Sequence, residues 1–134
     1  MSVQQIEAAA QAFADAFNHC ERPVFDVAAV AEMLDDDLEI IDHVPYRFDD
    51  KKQFVRYLQG AASGLTSSTF GFRQLSCRVF NDNTGIANAY DSFTGVTKDG
   101  RVRIAHGRTT LVFVKRGSQW KIVSAHFSAL PHAS

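Results

Sequence analysis

The sequence predicts an α+β domain, three N-terminal helices packed on one curled antiparallel or mixed sheet. Three observations carry this. Apolar residues recur at helical spacing through the first half of the chain, and from Thr69 the period becomes strand-like. The strand-like runs are separated by short turn segments, so they form a meander. No repeat, low-complexity tract or Pro/Ser-rich linker divides the 134 residues, which predicts one domain over 1–134.

Ile6, Ala9, Ala10, Phe13, Ala14 and Phe17 form an apolar stripe on an Ala-rich helix. The segment from Asn18 to Pro23 ends it, because Pro23 pushes its predecessor out of the helical region. Asp26 caps a short second helix carrying Val27, Val30, Ala31 and Leu34. Asp35, Asp36 and Asp37 read as a solvated acidic turn. Leu38, Ile40 and Ile41 lead through Asp42, His43 and Val44 into a short strand stopped by Pro45. Asp49 or Asp50 caps a third helix bearing Phe54, Tyr57 and Leu58, expected to stop near Gly60. Strands are predicted over 69–80, 85–96, 101–115 and 119–129. The turns between them are Asn81-Asp82-Asn83, Lys98-Asp99-Gly100 and Arg116-Gly117-Ser118. Strong curvature of such a sheet leaves a hollow under the helices, the natural ligand site.

Composition narrows the function classes. Lys and Arg number 14 against 15 Asp and Glu, a net charge of −1, which argues against nucleic acid as partner. No run reaches the roughly 18 apolar residues of a membrane span. The N-terminus lacks the basic start and long apolar run of a secretory signal. Cys20 and Cys77 are far apart and read as small buried hydrophobes. With no C-x-x-C spacing, no metal or other cofactor is expected. The expectation is a soluble cytoplasmic protein. Phe is in excess, 11 copies against 3 Tyr and 1 Trp. Phe13, Phe17 and Phe54 belong to the helical core, whereas the strand Phe residues either line the hollow or cover the outer sheet face.

Asp42 is the foremost catalytic candidate. It follows two isoleucines and enters the hollow beside His43. Apolar walls raise a carboxyl pKa and make it a better proton acceptor next to a carbonyl. The competing reading is a polar cap on the strand exit. Arg108 and His126 are the second constellation. A three-residue turn at 116–118 sets Arg108 opposite His126 and His106 opposite Ser128, where Arg and His could clamp an oxygen and shuttle a proton. A two-residue turn slips that register by one. Tyr90, with Asn88 and Ser92 on its face, is read as lining the hollow and donating a hydrogen bond. His43 and Tyr46 form its lip. In the last strand neither alternating set is strongly polar, so the outer sheet face needs a cover, and a second copy of the chain supplies it.

The element order, with residues 107–116, Trp120, Lys121, Ile122 and Val123, and His126-Phe127-Ser128, resembles the SnoaL-like branch of the nuclear transport factor 2-like superfamily. The resemblance covers essentially the whole chain. It implies a cone-shaped fold, a small apolar ligand and a homodimer. Residues 34–42 resemble the ketosteroid isomerase segment that carries the catalytic Asp, which falls on Asp42. That family's oxyanion donors do not carry over. Phe13 stands at the helix Tyr, and Thr110 or Leu111 at the strand Asp, at a cost of about 3–4 kcal/mol per lost donor. What is expected is therefore ligand binding in the cone, with Asp42 as general base of a cofactor-independent isomerase, cyclase or hydrolase. Arg108 and His126 are its polar partners, and Phe13, His43, Tyr46, Tyr90, Ser92 and Ser128 line the ligand. The alternative is a non-catalytic binding or oligomerisation module. The association domain of calcium/calmodulin-dependent protein kinase II resembles the final hairpin, although its pocket arginines align with Ser92, Leu111 and Phe127.

Overall fold

In the computed structural model, which describes residues 2–18, 24–43 and 47–131, the first apolar stripe forms helix α1 (Ser2–Ala16). Ile6, Ala10, Phe13 and Ala14 are buried along one side of it, and Phe17 follows just beyond its end. α2 (Val27–Glu32) starts at Asp26, whose carboxylate accepts the Ala29 N–H at 3.2 Å. α3 (Lys51–Ser63) starts at Asp50, which accepts the Gln53 N–H at 2.9 Å. It runs past Gly60, the expected stop, to a cap at Gly64. A lone glycine costs a helix about 1 kcal/mol and need not end it.

Six strands follow or interleave: β1 (Leu34–Ile41), β2 (Arg47–Phe48), β3 (Leu65–Phe80), β4 (Thr84–Thr97), β5 (Val102–Arg116) and β6 (Gln119–Ala129). They form one sheet in the order β2-β1-β6-β5-β4-β3. β1 lies parallel to β6, so the sheet is mixed, and the helices pack on its concave side.

Asp35, Asp36 and Asp37 belong to β1, where the sequence suggested a turn. Cross-strand cations explain the difference. Arg116 of β5 donates to both Asp35 oxygens, at 2.9 and 3.3 Å, and Lys51 of α3 reaches Asp36 at 3.9 Å. The Arg116 guanidinium beside Asp35 holds that carboxyl below its ordinary range.

The last hairpin turns through two residues, since Arg116 pairs with Gln119 and Gly117 takes φ +64°. A bulge between Val112 and Phe113 then shifts the register once more. The two shifts together move β6 by two residues. Arg108 therefore faces Ser128, and Thr110 faces His126, in place of the expected Arg108–His126 pair. A two-residue displacement preserves parity, so Arg108 and His126 still share a face. The bulge also breaks the alternation of β6, leaving Ile122 and Ala125 both buried.

α1 approaches the sheet where β4 has no side chain. A Cβ on Gly85 would lie 2.3 Å from Ile6 Cδ1. Farther along α1, the Phe13 ring sits 5.2 Å from Phe17, 6.4 Å from Phe70, 6.3 Å from Phe72 and 6.4 Å from Phe127. Helix and sheet thus share one aromatic cluster around a residue only 2% exposed.

Two substitutions test this packing by urea denaturation. Phe13→Ala should cost about 3–5 kcal/mol. Gly85→Ala, which adds a single methyl, should cost about 1–3 kcal/mol because the fully buried Ile6 side chain must shift to admit it. An unchanged midpoint for Gly85→Ala would mean that α1 is not seated on β4.

Candidate functional site

The concave face of the sheet, α1, α3 and Phe25 ahead of α2 border a cavity of about 630 Å³. Its walls are largely aromatic, with Phe13 from α1, Phe17 just beyond it, Phe54 and Tyr57 from α3, and Phe70, Phe93 and Phe127 from the sheet. Four ionisable groups interrupt them: Asp42, His43, Asp91 and Arg103. A second concavity, against α2 and α3, is lined by Lys51, Lys52, Arg56, Asp36 and Asp50. It is a charged surface groove without aromatic walls.

Asp42 stands one residue beyond β1 and is half-buried. Burial raises its carboxyl above the ordinary range. The His43 amide, which donates to Oδ1 at 2.6 Å, and the His43 charge oppose that rise, while the Asp91 charge adds to it. The two carboxylates therefore act on one another across the same cavity.

Asp91 lies in the middle of β4, 4% exposed, and its Oδ2 accepts the Thr109 hydroxyl at 2.5 Å. Its strand partner is Gly107. A Cβ there would sit 3.1 Å from Asp91 Oδ1 and 2.5 Å from the Ser128 carbonyl oxygen. Only glycine lets β6 and the Asp91 carboxylate approach β5 this closely.

Of the residues expected from the sequence, Phe13, Asp42 and His43 border the cavity. Tyr46 lies outside the described residues. Tyr90, Ser92, Arg108, His126 and Ser128 belong to the opposite, convex face of the sheet. There Tyr90 pairs with Arg108, Arg108 with Ser128, and the Ser92 hydroxyl lies 2.9 Å from His106 Nδ1. The expectation that Tyr90 and Ser92 line the hollow is thus corrected, and Arg108 and His126 do not join Asp42.

Strand parity is the reason. Ala87, Ala89, Asp91 and Phe93 form one alternating set on β4, and Asn88, Tyr90, Ser92 and Thr94 the other. The apolar set faces the helices, and Asp91 goes with it. That signal was in the sequence: a carboxylate in phase with Ala, Ala and Phe is carried to the concave face. The same rule on β5 carries Arg103 inward with Ala105, Gly107, Thr109 and Leu111.

Among the described residues no cluster of three or more His, Cys, Asp or Glu is placed to hold a metal ion. No helix among them is long and apolar enough to cross a membrane. Cys77 is a half-buried free thiol, pushed up mainly by burial.

Solved structures resemble this chain over nearly its whole length. An uncharacterised protein with a cystatin-like fold from Caulobacter vibrioides matches with a TM-score of 0.79 and 21% identity, over 97% of this chain and 90% of that one. A nuclear transport factor 2-like superfamily protein from Salmonella enterica matches at 0.81 and 18%, over 99% and 94%. A ketosteroid isomerase-like protein from Erwinia carotovora matches at 0.77 and 17%, over 98% of each chain. At such identities the likeness shows a shared fold. Among curated proteins, none matches the chain in sequence. The family model of the SnoaL-like domain matches residues 6–132, so the cone, its curved mixed sheet and its aromatic cavity are those of a member of the SnoaL-like family.

Proposed function

We propose that the protein binds a small apolar carbonyl compound in its cone and moves a proton on it without a cofactor. Asp42 is the base in this reading. The observation that carries it is a half-buried carboxylate, raised by burial, at the edge of an aromatic cavity of about 630 Å³. Asp42 takes a proton from the carbon next to the carbonyl. On a β,γ-unsaturated carbonyl compound the C–H electron pair forms a new C=C bond as the carbonyl π pair moves to oxygen, and return of the proton to the γ-carbon of the dienolate gives the conjugated isomer. His43, the neighbour of Asp42 on the same wall, donates to that oxygen. Asp91 raises the basicity of Asp42 by like charge and keeps its own place through Thr109. Phe13 supplies no hydroxyl, so the reaction proceeds without the helix donor of ketosteroid isomerases.

The convex face supports a second element of the reading, a homodimer through the outer sheet surface. Val102 and Ile104 are 61% and 62% exposed on β5, and Tyr90 is 42% exposed on β4. A sheet with apolar groups on both faces is stabilised by a cover on each.

Proton abstraction is read directly as exchange of the α-hydrogens of 4-phenylcyclohexanone in D₂O, followed by NMR. Exchange should exceed the buffer rate, and Asp42→Asn should reduce the enzymic rate about 100-fold or more. Exchange no faster than buffer, or an Asn variant as fast as the parent, would sink the assignment of Asp42.

The raised carboxyl also has a signature in stability. Above the ordinary carboxylate pKa, roughly 4, the unfolded chain releases its proton more readily than the native state, so the native state is penalised as pH rises. Asp42→Asn should therefore be more stable than the parent at neutral pH, with the difference vanishing below about pH 4. Equal melting temperatures at both pH values would contradict it. Analytical ultracentrifugation at micromolar concentration should show a dimer, and a purely monomeric protein would exclude the convex-face partner.

A further inference from the structure

The four ionisable groups of the cavity are not scattered. Asp42, with His43 beside it, lies near enough to Asp91 for the two carboxylates to act on one another, and Asp91 pairs with Gly107. Arg103 pairs with Gly95, four residues away along the same two strands. At roughly 3.3 Å per residue, the carboxylate row and the guanidinium row are about 13 Å apart. Arg103 is exposed, near the Lys98–Gly100 turn, and is the lone Lys or Arg among the described residues that line the cavity.

Its potential partners are already engaged. The nearby carboxylate, Asp99, is held by Arg101 at 3.0 Å and by the Thr97 hydroxyl. Carbonyls at the C-terminus of α3, which would attract a cation, have other donors: Gly64 N–H on Ala61, the Ser63 hydroxyl on Gly60, and Lys98 N–H on Gly64. Among the described residues the Arg103 guanidinium has neither hydrogen bond nor ion pair. A free fork of five donors beside an aromatic wall matches a carboxylate or a similar planar anion.

We infer that the ligand is an elongated apolar anion, its charged group held by Arg103 and its uncharged, reacting end against Asp42 and Asp91. This rests on the reading that the cone is the ligand site, and it adds the substrate's class and direction. Polarity fixes the orientation. A ligand carboxylate turned the other way would meet two acidic side chains in a low-dielectric space. Seated at Arg103, it leaves about 13 Å for an aromatic or alicyclic body whose carbonyl reaches the carboxylate row. Arg103 is thus a specificity-determining residue, remote from the bonds that change.

The test uses an isosteric pair of probes, biphenyl-4-carboxylate and biphenyl-4-carboxamide, titrated calorimetrically into the full chain. The carboxylate should bind about tenfold or more tightly than the amide, the gain expected of one charge-assisted contact. Arg103→Gln should bring the carboxylate down to the amide's level while leaving the amide within about twofold. Arg103→Lys should restore part of the preference, and added salt should erode it. Equal binding of the two probes by the parent overturns the inference but leaves an apolar ligand site standing. A preference that survives in Arg103→Gln, or a loss of both probes together, overturns the role of Arg103. If neither probe binds the parent, the cone as an apolar ligand site falls, and this inference with it.

Discussion

The packing of Phe13 against the sheet is the constraint on which the rest depends. α1 can lie close to β4 because Gly85 presents no side chain to Ile6. That seat directs Phe13 into the curl of the sheet, among Phe17, Phe70, Phe72 and Phe127. Aromatic rings meet edge-on or offset at separations of 4.5–7 Å or so, and they are stiff. A handful of them can hold two surfaces apart as well as together. The cavity persists for this reason: the rings of Phe13, Phe17, Phe70 and Phe127 that anchor the helix also wall the concave face.

An aromatic cavity is a costly place for a carboxylate, and two stand there. Asp91 is accommodated by a hydroxyl donor from Thr109 and by the absent side chain of Gly107, which lets β6 close over it. Asp42 is less completely satisfied. Its partner is the amide of the next residue, and its proton affinity rises. Fold stability is spent here for a basic group against aromatic walls, as expected of a functional site. Arg103 completes the electrostatic pattern from the far end of the same two strands. The cavity therefore has a direction as well as a volume.

Strand parity decided which residues reach the cavity. The Ala-rich first helix, the caps at Asp26 and Asp50 and the four long strands were all legible, because periodicity and capping chemistry are local. Asp42 and His43 were legible too, as a carboxylate and an imidazole emerging from an apolar strand. Turn length and a bulge at Val112 each shift register by one and change the partners of Arg108 and His126, but it is the phase of Arg108 with Tyr90 that sets both on the convex face. Tyr90 and Ser92 carry suggestive chemistry, but the small apolar set of Ala87, Ala89 and Phe93 marks the opposite face as inward, and Asp91 alternates with that set.

The chain by itself determined its class, its helices, its strands and the aromatic character of its interior, since these follow from side-chain size, polarity and short-range spacing. It also placed Phe13, which has no hydroxyl to give, on the inward face of the first helix. Tertiary structure alone decided that the acidic run of 35–37 joins a strand parallel to the last one, drawn there by Arg116. It alone brought Asp91 to bear on Asp42 and set Arg103 at the other end of the cavity. Those relations depend on pairings between residues far apart in sequence, and pairings of that kind are settled by the closing of the whole sheet rather than by any one segment of it.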